Sequence, residues 1–318
     1  MRLRPFLLGL LSYTPAFVWG SQLRRRGTGG TDSARYCYSV WLRHLVFLFE
    51  SGMTRVPKVV AELGPGSSIG IGLAALLSGC DHYNAFDVVA YASTERNVKI
   101  FKELAELFRQ RADIPDESEF PEVKPCLKSY KFPEKILSKS ILQNSLSSAR
   151  QECISKAIMS YGHHGSVSIE YRVPWYDSHV SSDGSVDMIF SQAVLEHVDD
   201  LPGTYKAMYR WLHPDGFMSH QIDFKCHGTA RHWNGHWAHG DFAWKLIRGR
   251  RPYLLNREPF SAHVSLHTNT GFKIVKSAPV TGQNGHKSIQ RSSLADRFRD
   301  MSDADTSISS AHVVSVKG

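Results

Sequence analysis

The apolar positions of this chain fall into runs of two kinds. The first kind is long and aromatic: YCYSVWLRHLVFLFE, at 36–50, carries Arg43 and His44 among large apolar side chains, and its length predicts a buried helix. The second kind is short and β-branched. VVAEL at 59–63 predicts a first strand, and Ile69 to Ser78 then predicts a helix whose small residues allow close packing on a sheet. HYNAFD at 82–87 predicts a second strand that ends in Asp87. Thr94 offers a cap for the next helix, whose apolar stripe is Ile100, Phe101, Leu104, Leu107 and Phe108. Strand and helix in alternation predict a parallel sheet with crossover helices.

The alternation breaks at 112–160, which holds DIPDESEFPEVKP, a serine-rich piece and a helical pattern near 146–160. A connection this long between two strands reads as an insertion. Strands resume at 166–173 and 186–192, followed by a helix from Pro202 to Leu212, a turn at HPDG (213–216) and a strand at 217–223. Two more strands are expected at 272–280 and 311–317. The expected organisation is a basic, apolar helical extension over 1–54 and one α/β domain over 55–318. That domain contains the insertion and an irregular loop at about 223–260.

Composition narrows the picture only partly. Of 318 residues, 42% are apolar and 21% charged, enough for a sizeable core. The net charge of +8 suits an anionic partner: nucleic acid, a phosphorylated small molecule or an acidic membrane surface. Cys37, Cys80, Cys126, Cys153 and Cys226 form no C-x-x-C pair and read as reduced thiols of a cytoplasmic protein. Residues 1–26 carry Arg2, Arg4, Arg24, Arg25 and Arg26 and no acid, around PFLLGLLSYTPAFVWG. That resembles a signal peptide, but Pro15 breaks the apolar part, which falls short of the ~20 residues that span a bilayer. The expectation is a helix packed on the domain, with peripheral contact to the inner face of a membrane as the intermediate possibility.

The chemistry centres on the loop after the first strand, ELGPGSSIG. The dinucleotide fingerprint G-x-G-x-x-G is met at Gly64 and Gly66 but has Ile69 in its last place. Glu62 stands beside the loop, where it would repel a pyrophosphate and welcome an ammonium or sulfonium. Asp87 follows Gly66 by 21 residues, a spacing that suits a carboxylate accepting both ribose hydroxyls. VDMIFSQ puts a polar bend, Ser191–Gln192, at the carboxyl edge of the sheet.

With these residues in order, the chain resembles class I S-adenosylmethionine-dependent methyltransferases. The likeness rests on ELGPGSS at 62–68, Asp87, DMIFSQAVLEH at 187–197 and WLHPDG at 211–216, and is nearest to the small-molecule, type 11-like branch. The resemblance implies a Rossmann-like, doubly wound, mostly parallel seven-stranded sheet with helices on both faces. It implies S-adenosyl-L-methionine as cofactor, held by Glu62, Gly64, Gly66, Ser67, Ser68 and Asp87, with Ser191 and Gln192 against it. Two departures stand out. Ser68 replaces the third loop glycine, and Tyr171, Arg172 and Val173 stand where many members carry an acid, with Asp177 as a substitute.

Methyl transfer from a sulfonium asks chiefly for alignment and dryness, and for a base only when the nucleophile must lose a proton. His197 and Asp223 are the candidate bases. Within 223–258, His227, His232, His236 and His239 invite a metal reading, but Gly235 and Gly240 break the helix it needs, so no metal is expected. Trp233, Trp237 and Trp244, with Arg231, Lys245, Arg248, Arg250, Arg251 and Arg257, read as a substrate loop for a sugar, phosphate or lipid head group. The expected acceptor is small or lipid-linked. The absence of an aromatic–basic RNA module argues against nucleic acid. An NAD-dependent oxidoreductase, an RNA methyltransferase and a non-catalytic binding protein are the alternatives.

Overall fold

The structure, a computed structural model, describes residues 3–14, 30–162, 165–175, 180–251, 253–282 and 287–318. Arg2, the arginines at 24–26 and Asp177 lie outside the described residues. Seven strands form one sheet in the order β3-β2-β1-β4-β5-β7-β6. They are β1 (Val59–Leu63), β2 (His82–Phe86), β3 (Ser168–Arg172), β4 (Val186–Gln192), β5 (Leu212–Asp223), β6 (Phe272–Thr281) and β7 (Ile308–Lys317). β1 to β5 pair in parallel, and β7 runs antiparallel between β5 and β6. This is the expected doubly wound α/β sheet.

Helices cover both faces. On one face lie α2 (Ala34–Phe49), α3 (Gly70–Leu77), α4 (Thr94–Gln110), α5 (Lys139–Ser145) and α6 (Ser148–Met159), over Val60, Met188, Phe190 and Val314. On the other lie α7 (Leu201–Trp211) and α9 (Phe260–Thr270), over Ala61, Ile189, Met218 and Val313. α1 (Leu3–Leu11) packs on α8 (Asp241–Arg248) at the margin. A short α10 (Asp303–Ser307) precedes β7.

Local chemistry explains where these elements start and stop. The cap of α4 is Ser93 rather than Thr94: its hydroxyl accepts from the Arg96 amide at 3.4 Å while its backbone stays extended. HPDG is not a free turn between helix and strand. β4 pairs Val186 with Leu212 and Met188 with Phe217, so 213–216 form an unpaired excursion inside β5. The insertion is helical only in its second half, α5 and α6; residues 112–138 hold no helix or strand. That irregular stretch is gathered onto Arg43 of α2. The fully buried guanidinium donates to the carbonyls of Pro115, Val123 and Pro125 at 2.9–3.1 Å and to Glu117 at 2.7 Å, and Nε donates to Ser39 Oγ at 3.1 Å.

Two buried features contribute with opposite signs to how the fold responds to pH. The first is Glu62, which lies beneath α3, where the Tyr83 hydroxyl donates to it at 2.5 Å. Tyr83 reaches it only because residue 72 is glycine: a Cβ there would stand 2.0 Å from the tyrosine ring. Burial outweighs the Tyr83 and Gly72 hydrogen bonds and pushes the Glu62 carboxyl up to about 8. The second is a set of buried histidines. His44 and His312 flank Ser219 on one face, at 2.7 and 2.9 Å; His263 meets the Tyr205 hydroxyl at 3.1 Å and His267 packs on Tyr205 on the other. Burial pushes His44 and His267 down to about 4 and His263 to about 3.

The two effects have opposite signs. Unfolded histidines titrate near 6.5, so between 6.5 and 4 the unfolded chain binds more protons and stability falls on acidification. Each such group contributes a slope of up to about 1.4 kcal/mol per pH unit. Unfolded Glu62 ionises near 4.5 while the folded carboxyl keeps its proton to about 8, so its contribution is lost as pH rises. The histidines outnumber it on the acid side, so urea midpoints should peak near pH 6.5. Glu62→Gln should fold and flatten the decline between about pH 6.5 and 8. A decline of unchanged slope in that variant would show that Glu62 is ionised in the folded state.

Candidate functional site

A cavity of about 1150 Å³ opens at the carboxyl ends of β1, β2 and β4, where ligands of open α/β sheets bind. A smaller cleft of about 510 Å³, around Lys58, Asp81 and Arg150, lies at the opposite, amino edge of the strands. The floor of the larger cavity is the loop after β1. Gly64 takes φ +67°, and a Cβ on it would meet Val194 at 2.6 Å; Gly66 takes φ +74°. The Gly64 amide donates to the Phe86 carbonyl at 2.8 Å, which ties the loop to the end of β2.

Asp87 sits where that strand ends. Its carboxylate accepts from the amides of Val88 at 2.7 Å, Val89 at 3.4 Å and Gly66 at 3.4 Å. Burial raises its pKa, and these three donors oppose the rise. The loop thus offers one carboxylate fixed in place at the cavity wall.

Gly64, Gly66, Asp87, Gln192 and His197 all line the cavity. The other expected site residues do not. Glu62 is turned beneath α3 towards Tyr83. The Ser68 hydroxyl donates to the Thr31 carbonyl and accepts from the Gly70 amide at 3.0 Å, so it anchors the segment before α2 and the start of α3. Ser67 is buried, and its carbonyl accepts from Arg96 at 2.6 Å. Ser191 lies on the far face, its hydroxyl 2.8 Å from His220. Neighbouring strand residues point to opposite faces, so Gln192 reaches the cavity and Ser191 cannot.

Gln192 is held by a chain of buried polar groups. With neutral rings, one assignment of protons satisfies every link: His312 Nε2 donates to Ser219, Ser219 donates to His44 Nδ1, and His44 Nε2 donates to Gln192 Oε1 at 3.1 Å. The Gln192 carbonyl is thereby engaged and its amide is left for the cavity.

His197 ends the 3₁₀ turn Leu195–His197, its Nδ1 buried without a partner and its ring bonded to the Tyr253 backbone. Asp223 is not in the lining; it faces His227 at 3.2 Å and Lys225 at 3.3 Å. Between them lies Glu196, whose carboxyl burial pushes well above the usual range.

The loop at 223–260 departs from expectation. Trp233, Trp237 and Trp244 are buried in the body of the protein, Trp237 donating to the Arg257 carbonyl at 2.9 Å. Arg257 is buried too, stacked 4.5 Å from the Trp244 ring. His236 packs on Trp237, and His232 bonds the Lys287 carbonyl at 3.0 Å, so the four histidines do not converge. Among the described residues of this loop, only His227 and Tyr253 line the cavity. Tyr36, Tyr91 and Trp175 complete the aromatic wall. They come from segments with no ligand signature, and only their aromatic character hinted at a role.

Residues 136–219 match the family model described as a methyltransferase domain, which spans β3, β4, α7 and part of β5. No curated protein matches the chain significantly. Among solved structures the chain is similar to phosphoethanolamine N-methyltransferase 2 of Haemonchus contortus in complex with phosphomonomethylethanolamine and S-adenosylhomocysteine. Identity is 15% and the TM-score 0.41, over 87% of this chain and 52% of that one, so this chain spans about half its length. It is also similar to an S-adenosylmethionine-dependent methyltransferase of Mesorhizobium loti, at 11% identity and a TM-score of 0.41, over 86% of this chain and 98% of that one. The family match falls on the stretch where β4 and the turn after it bring Gln192 and His197 to the cavity, so residues 136–219 are similar to a methyltransferase domain.

Proposed function

We propose that Gly64, Gly66 and Asp87 hold the cofactor and that a small or lipid-linked acceptor, phosphorylated or glycosylated, enters at the end lined by His197, His227 and Tyr253. The observation that carries this reading is the cavity itself. At about 1150 Å³ it exceeds the roughly 300–1,000 Å³ of a single-ligand site and runs from the glycine loop to His227 without a break in its lining. Glycine at 64 keeps a side chain out of the space beside Val194, so the cradle fits a ligand lying against backbone. Bound S-adenosylmethionine supplies a methyl group already activated on a sulfonium.

The chain's own part is to orient and to exclude water. Tyr36, Phe86 and Trp175 give the cavity dry walls, while the Gln192 amide, fixed through His44, orients a polar group between its two ends. At the rim Lys206 and Arg210 of α7 stand with Asp199 and Asp200, and Arg210 is paired with Asp183 at 2.9 Å. Of the two candidate bases only His197 lines the cavity, so the acceptor end is built around its ring.

A further observation favours the lipid-linked class. α1 buries Pro5 and Gly9 and turns Leu3, Leu7, Leu10 and Leu11 outward, each at least half exposed. Leucines on the open side of a helix beside Arg250, which lies over the Tyr13 ring at 5.1 Å, suit an anionic membrane surface. Among the described residues no helix is long and apolar enough to cross a membrane.

Two measurements test these readings. In calorimetry, Asp87→Ala should lose about 1.5–3 kcal/mol of S-adenosylmethionine affinity, roughly tenfold or more. Unchanged affinity in folded Asp87→Ala would remove the ribose role of Asp87. In flotation with vesicles of anionic lipid, the wild type should float, and Leu7→Glu combined with Leu10→Glu should bind at least tenfold more weakly, since each buried leucine is worth about 1.5–3 kcal/mol. Both side chains are exposed, so this variant keeps its fold, and equal flotation would sink the membrane reading.

A further inference from the structure

At the acceptor end of the cavity stand three side chains, of which the methyl-transfer reading uses His197 and His227 and leaves Glu196 without a role. Glu196, His197 and His227 each offer a ligand atom, and these atoms lie within 4.8 Å of one another. Among the described residues no other group of His, Cys, Asp and Glu converges this way.

Glu196 is the anomaly. Its side chain is 3% exposed, and no side chain hydrogen-bonds either carboxylate oxygen; only the backbone of Glu196 and Asp223 approaches it. A carboxylate with no side-chain partner in such a place is costly, and native proteins rarely tolerate it without a use. The adjacent His197 Nδ1 is buried without a partner. A carboxylate oxygen of Glu196 and one ring nitrogen each of His197 and His227 therefore share one small space.

The turn that carries them is fixed in advance. The Asn256 side chain donates to the carbonyls of Leu195 at 2.7 Å and Val198 at 2.9 Å, and its amide donates to the carbonyl of Glu196 itself at 2.8 Å. His227 is oriented from behind by Asp223 at 3.2 Å, and Asp223 in turn faces Lys225 at 3.3 Å. A carboxylate behind a histidine is the usual way a metal-ligating imidazole is aimed. His227 holds φ +44°, in the left-handed region that a residue with a side chain rarely adopts.

We infer that Glu196, His197 and His227 bind a divalent transition-metal cation at the acceptor end of the cavity. Two imidazoles and one carboxylate suit Zn²⁺, Co²⁺, Mn²⁺ or Fe²⁺ and suit Mg²⁺ or Ca²⁺ poorly, because the latter prefer all-oxygen sets. Three protein ligands leave coordination positions open. His197 and His227 both line the cavity, so an open position faces it and is available to an oxygen of the acceptor. The site differs from the histidine cluster expected at 227–239, of which it uses His227 alone.

Cation binding is measurable without cofactor or acceptor, so its failure is separable from failure of the proposed methyl transfer. Full-length protein is stripped with chelator and titrated with Co²⁺, reading the visible absorption of the bound ion, and with Zn²⁺ by calorimetry. One ion per chain is expected. Glu196→Gln keeps the shape of the side chain and removes the charge, and His227→Ala alters an exposed residue. Each should weaken binding at least tenfold, and Asp223→Asn should weaken it less than either. Circular dichroism of each variant confirms the fold. Absence of binding by the wild type, or binding that survives both Glu196→Gln and His227→Ala, would overturn the assignment.

Discussion

The guanidinium of Arg43 is the interaction on which the frame rests. A fully buried cation survives only when its donors are met, and here the partners are three carbonyls, a carboxylate and a hydroxyl. Four of these five come from residues 115–125, a stretch with no helix or strand to satisfy its own backbone. One side chain thus gives an irregular segment its place and closes one flank of the core. The helix that carries Arg43 anchors elsewhere too: Trp41 donates to Ser78 at 2.8 Å, beside the end of α3, and His44 reaches Ser219 and Gln192 across the sheet. Three buried polar groups on one helix make it part of the core.

The histidines follow from the same logic with the opposite charge state. Where Arg43 is paired, His44, His263 and His267 are kept neutral by burial, and a neutral ring can donate from one nitrogen and accept at the other. That directionality makes the chain from His312 to Gln192 specific. A protonated His44 would have to donate from both nitrogens, and the link from Ser219 would reverse or break.

The strands of the parallel region were readable because both of their faces are buried, so they appear as continuous apolar runs; VVAEL and HYNAF match β1 and β2 residue for residue or nearly so. Asp87 and the glycines were readable because a strand end and a tight turn each impose a residue type. What escaped was the alternation at the strand end, which separates Ser191 from Gln192 by one position and two faces. The aromatic walls escaped because Tyr36, Trp175 and Tyr253 meet only through the tertiary fold. The tryptophans of 223–260 misled because an aromatic cover over a core and an aromatic sugar platform have the same composition. Glu62 misled for a related reason: a carboxylate beside a glycine loop looks like a ligand group, and only the packing of Tyr83 on Gly72 reveals that it faces inward.

α1 meets the body of the protein backbone to backbone. A Cβ on Gly9 would stand 1.8 Å from the Leu246 carbonyl oxygen, and one on Gly249 would stand 2.2 Å from the carbonyl oxygen of Gly9. Beside that joint Phe6 of α1 packs on Trp244 and Ile247 and meets the His239 ring edge to face at 6.0 Å. One turn away, Arg248 grips Asp199 at 2.6 Å, and Asp199 stands on the rim of the cavity. The amino-terminal helix is therefore joined through α8 and Arg248 to the rim of the cavity, and a side chain at either glycine would part that joint.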